Sequence, residues 1–140
     1  MPPQDLFPIP WLVNSLPADW LARQMIQVNV SQTYLNRLPI PQPSDADILA
    51  NADYATLAKN ALLLTLAASW ADFAELAPLL DVKNQDVPTT AKTMDMLRAE
   101  NDKIVTRLYG ITFAALAHLL SSFKGMATKR PEYVALLQET

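Results

Sequence analysis

The chain has 140 residues, 51% of them hydrophobic, with a net charge of -3 and no cysteine. That length suits one domain with its own core, and the missing cysteine excludes disulfides, thiolate nucleophiles and cysteine zinc sites. With only Gly110 and Gly125, a Gly-rich phosphate loop is excluded too, and the charge balance is not that of a polyanion-coating protein.

Eight of the eleven prolines lie at or before Pro43 and none falls between Pro43 and Pro78, which divides the chain into an extended front and a helical body. Residues 1–14 interleave Pro2, Pro3, Pro8 and Pro10 with Leu6, Phe7, Ile9, Trp11 and Leu12. Proline fixes φ and turns the preceding residue away from helix, so this segment reads as an extended apolar arm. It does not read as a secretory leader, because Asp5 replaces a basic start and proline interrupts the apolar run. Such an arm needs a surface, either its own core or a groove on a neighbouring subunit or partner.

A first helix is expected over 15–38. Ser15 suits an N-cap, Pro17 and Asp19 suit a first turn, and Trp20, Leu21, Met25, Val28 and Leu35 recur at helical spacing. Residues 39–43 alternate proline with other residues and predict a stiff spacer. Ser44 with Asp47 three positions on forms a capping-box variant, opening a helix of thirty-odd residues with a kink near Asn51 to Asp53. Along it Leu63, Leu66, Trp70, Phe73 and Ala77 make one stripe, with Leu57 and Leu64 on the opposite side.

After a loop with Pro78, Asn84 and Pro88, a third long helix is expected from Thr89 or Thr90 to Gly125. Its first half, Lys92 to Arg107, carries seven charges of both signs around Met94, Leu97 and Ile104, with Asp95 and Arg98 one turn apart. Its second half, Leu108 to Phe123, carries none. Residues 128–140 read as a short last helix opened by Pro131 and bearing Tyr133, Val134, Leu136 and Leu137. Alternation with period two is scarce, so the fold class is all-α, a single domain with an antiparallel hairpin over 44–125.

Pairing the two long helices end to end sets Leu62 to Phe73 beside the charged half of the third helix, and the uncharged half beside the alanine-rich start of the second. Each apolar stretch then needs further cover, from the first helix, the arm, the last helix or another chain. Burial in a subunit contact gains about 25 cal/mol per Å².

Constellations for chemistry are sparse. His118 is the single histidine; Ser121 and Ser122 follow it within one helical turn, but no carboxylate lies near in sequence to orient the ring. Asp72, Glu75 and Asp81 could hold a hard cation, yet lie where solvated carboxylates commonly sit, and no Glu-x-x-His pair completes a di-iron set. Lys124, Lys129 and Arg130 form the one compact basic group, with Lys103 and Arg107 as a second pair, enough for weak nonspecific contact with nucleic acid at most. The expectation is no enzyme, no cofactor and no metal. The longest charge-free run, the sixteen residues Leu108 to Phe123, is shorter than the ~20 that span a bilayer, so no membrane association is expected and a cytoplasmic location is the default.

From Ser44 to Phe123, the order of an apolar helix with the run Ala61 to Trp70, ALLLTLAASW, then a charged-to-apolar long helix, resembles the helical head-tail connector (adaptor) proteins of tailed bacteriophages. The arm before this region and the short segment after it fit the same order. The resemblance implies a small all-helical structural subunit repeated as a homo-oligomeric ring in the virion, docked on a portal or neighbouring tail protein, with terminal extensions gripping neighbours. Candidate interface residues are Phe7, Ile9, Trp11 and Leu12 in the arm, and Leu64, Phe113 and Leu120 on the long helices. The alternative is a small helical binding or regulatory module that engages a partner protein through the arm.

Overall fold

The computed structural model describes residues 15–25, 44–123 and 125–139, and these are helical, with no strand among them. The arm, the sequence from 26 through the spacer at 43, and Lys124 lie outside the described residues. So do the candidate interface residues Phe7, Ile9, Trp11 and Leu12. The all-α class is therefore the observed one.

Helix α1 spans Leu16–Met25, starting directly after Ser15. Ser44 opens α2 (Asp45–Ala50) with a full capping box, its hydroxyl accepting from the Asp47 N–H at 3.2 Å while the Asp47 carboxylate accepts from the Ser44 N–H at 2.9 Å. The expected kink is a true break. Asn51 adopts extended backbone, ends α2 and caps α3 (Ala52–Ala68) by accepting the Asp53 N–H at 2.9 Å.

The long second helix stops well short of the loop. Ser69 has extended backbone (φ -158°, ψ 98°), so α3 ends there and a new turn, α4 (Trp70–Phe73), begins with its own phase. A 3-10 segment, Ala74–Leu80, follows and ends on Asp81 at φ 51°, a left-handed turn in a non-glycine residue. This reset splits the expected stripe. Leu63, Leu66 and Ala77 are buried, whereas Trp70 and Phe73 are each 37% exposed.

Helix α5 (Ala91–Leu108) begins as expected at Thr90, whose hydroxyl accepts from the Thr93 N–H. It does not continue to Gly125. Gly110 takes φ +71°, and the bonds Gly110 N–H to Arg107 C=O and Ile111 N–H to Thr106 C=O make a Schellman ending. Thr112 then caps α6 (Phe113–Ser121), which leaves α5 at a bend of 116°. One long helix is thus two, because a glycine free to go left-handed is followed by a good N-cap. After Gly125, itself at φ +85°, come the turn α7 (Met126–Lys129) and α8 (Pro131–Gln138), with proline in the first turn as the sequence predicted.

Helices α3 and α5 pack antiparallel. The register is visible in two polar contacts: Arg107 pairs with Asp53 at 2.8 Å, and Asn60 donates to Glu100 at 2.7 Å and to Asn101 at 3.0 Å. Leu57 packs on Ile104 and Val105 between the two helices. Near the α3 end, Leu62, Leu63 and Leu66 meet Ala77 and Val82 from the returning segment.

The uncharged second half of the third helix does not lie beside the start of α3 as expected, but its cover comes from the first and last helices, two of the sources the sequence named. The bend swings α6 away from α3, and Leu116, Leu119, Leu120 and Phe123 pack with Leu16 of α1, Ala99 of α5, and Tyr133 and Leu137 of α8. Most of the cover this stretch requires is therefore supplied within the chain.

Candidate functional site

Two surfaces and one buried polar cluster stand out among the described residues. The first surface is a groove of about 400 Å³ between α1 and α6. Pro17, Trp20 and Leu21 form one wall at helical spacing, and Ala115, His118 and Leu119 form the other. Tyr109 and Ile111 close the end where α5 bends into α6. The lining is mostly apolar. The Tyr109 hydroxyl is buried with no hydrogen-bond partner, and burial pushes its pKa up.

His118 lies on this groove with an exposed side chain, but the contacts with Ser121 and Ser122 do not involve its ring. Both hydroxyls donate to the His118 backbone carbonyl, at 2.5 and 3.5 Å. No carboxylate is among the groove's described lining residues, so nothing there orients the imidazole as a general base. The groove offers apolar surface, and its described lining residues hold no acid-base pair.

The second surface is α4. Although two of its four residues are aromatic, none is buried, and Leu79 just beyond it is 42% exposed. Asp72, a carboxylate considered for metal binding, accepts from the Ser69 hydroxyl at 2.7 Å at the start of this turn. No group of three or more metal-binding side chains occurs among the described residues.

The candidate interface residues on the long helices fall in three different settings. Leu64 is half-buried on α3, Phe113 is 52% exposed at the start of α6, and Leu120 is buried in the core between α1, α6 and α8. These three do not share a surface patch. Of the basic groups, Arg130 is engaged by the Asp95 carboxylate at 2.9 Å and lies 4.5 Å from the Tyr133 ring centroid, so it is a framework residue as well as a surface charge. Asp95 also binds Arg98 at 2.9 Å; burial opposes its charge, but the two guanidiniums together hold its carboxyl below the usual range.

The buried cluster centres on Asp102. Its Oδ1 accepts the backbone N–H of Leu16 at 3.0 Å, and its Oδ2 accepts the Tyr133 hydroxyl. One carboxyl group thus ties the first and last described helices to α5. Burial raises its pKa to about 6, against the opposing effects of Tyr133, the Leu16 N–H and Arg130. Burial and the adjacent carboxylate push the Tyr133 hydroxyl well above its ordinary value.

Neither Asp102 nor Tyr133 is singled out by sequence reasoning, because Asp102 is one of seven charges on a stretch that reads as a solvated helix. Its local signal is its position: Ala99, Val105 and Thr106 are also buried on α5, and Asp102, three or four positions from each, falls on the face that carries them. No single helix among the described residues is long and apolar enough to cross a membrane. Compared with known proteins, the chain matches no protein-family model, no curated protein and no solved structure.

Proposed function

We propose that the protein is a structural assembly subunit, which works by presenting apolar helical surface to other chains and not by catalysis. The observation that carries this reading is α4: Trp70 and Phe73 each keep 37% of their surface exposed on a helical turn that has no fully buried residue, beside the core of Leu62, Leu63 and Leu66. Two adjacent aromatics that each keep about a third of their surface in water support a contact surface there, since aromatic side chains dominate interface energetics. The groove between α1 and α6 and the exposed Phe113 add apolar surface elsewhere on the molecule.

The head-tail connector role implied by the resemblance is the most specific form of this reading. Separate apolar patches suit a ring subunit, which needs two different faces for head-to-tail neighbours. The alternative, a binding module for one partner protein, would use a single patch. The test is Trp70→Ser with Phe73→Ser in the full chain. The assembly reading expects a folded protein, by circular dichroism, that has lost its oligomeric species in native mass spectrometry. An unchanged oligomer distribution would remove α4 as the contact surface.

A further inference from the structure

The Asp102 cluster carries an inference of another kind. We propose that Asp102 is a proton-operated clasp that holds α1 against the body, closing when its carboxyl takes up a proton and loosening when that proton is lost.

The geometry supplies the device. A carboxyl on α5, 4% exposed, is the shared acceptor for a backbone N–H on α1 and a phenol on α8. Opening either contact admits water to a group whose charged form burial penalises. The charged and titratable groups facing it can be named for each packed helix. From the α8 side come Tyr133 and Arg130, the latter shared with Asp95. From α1 comes the Leu16 N–H at the positive end of that helix, while Asp19 and Arg23 pair with each other at 3.2 Å. From α3, Asn60 is held by Glu100 and Asn101, and Asp53 by Arg107. Arg130 is therefore the one cation from these helices acting on the carboxyl, and its charge is divided with Asp95.

The direction follows from linkage. The closed state holds the proton with a pKa of about 6 and the open, solvated state with about 3.9, so acid favours closure and rising pH favours opening. Because Pro17, Trp20 and Leu21 of α1 form one wall of the apolar groove, opening the clasp also dismantles the groove. Proton uptake at Asp102 thus sets how long that surface persists.

Hydrogen exchange of the full chain at pH 4.5 and 7.5, corrected for intrinsic rates, tests this. Amides of α1 should lose roughly 25-fold in protection at the higher pH, and Asp102→Asn, which keeps an acceptor but cannot ionise, should show no such loss. If Asp102→Asn does not fold, the carbon-13 titration of the Asp102 carboxyl in the wild type decides, with a midpoint near 6 expected. Equal corrected protection at both pH values, a wild-type response in Asp102→Asn, or a carboxyl midpoint near 4 would each overturn the clasp.

Discussion

The backbone N–H of Leu16 donates to Asp102 Oδ1 at 3.0 Å across 86 positions of sequence. This single bond fixes the start of α1 on the middle of α5, and a second bond, from the Tyr133 hydroxyl, brings α8 to the same carboxyl. The three helices that cover α6 are thereby joined through one buried side chain as well as through their shared apolar core.

Global stability should carry the signature of that carboxyl. Its folded pKa, about 6, is raised above the unfolded value of about 3.9, so its contribution is fully present below pH ~4 and lost as pH rises through 6, a change of about 3 kcal/mol in all. Urea denaturation at pH 4.5 and 7.5 should therefore show a component favouring the lower pH that Asp102→Asn lacks. Tyr133→Phe should cost about 1.5–3 kcal/mol at pH 7.5, where the acceptor is charged, and less at pH 4.5.

Gly110→Ala tests the bend. A Cβ at that position meets nothing within 4 Å, so its cost is conformational, from the left-handed φ of +71°. A loss of about 1–2 kcal/mol is expected from equilibrium unfolding, with α6 still packed on α1 and α8. A neutral result would mean that this turn does not need the left-handed residue.

Much of the fold was legible where the signal was local. Ser44, Thr90 and Pro131 announce helix starts because caps act over three or four residues, and Asn51 marks a break for the same reason. Gly110 and Thr112 carried an equally local signal, but the uncharged run after Leu108 reads as a continuous helix when charge alone is followed. Ser69 offered less, since serine is compatible with helix and only its extended backbone turns Trp70 and Phe73 off the buried stripe. The burial of Asp102 was not legible at all, because its partners stand 86 and 31 positions away.

Asn60 and Asn101 form a buried polar pair with one loose end, the Asn101 Nδ2, which has no partner. Asn60→Leu alone should destabilise by about 1–3 kcal/mol, because it strands the Asn101 oxygen as well. Adding Asn101→Leu should recover a large part of that loss, as both polar groups then leave the interior. A double-mutant cycle by thermal unfolding measures the coupling, and additive losses would argue that the two amides act separately.

The Ser69 break predicts a sharp contrast along one short stretch of chain. Leu66→Ala, at 1% exposure, should cost about 2–5 kcal/mol, whereas Phe73→Ser, at 37%, should cost the monomer about 1–2 kcal/mol. Chemical denaturation of the two variants under conditions that keep the chain monomeric provides the comparison. Comparable losses would place Phe73 in the folding core and not on a contact surface.

The central claim, that exposed apolar helix exists to meet other chains, is tested most directly by sedimentation velocity of the wild-type protein over a concentration series into the high micromolar range. The account predicts a species heavier than one chain whose share grows with concentration. A single species at the mass of one chain throughout, with Trp70 and Phe73 accessible in it, would contradict the account.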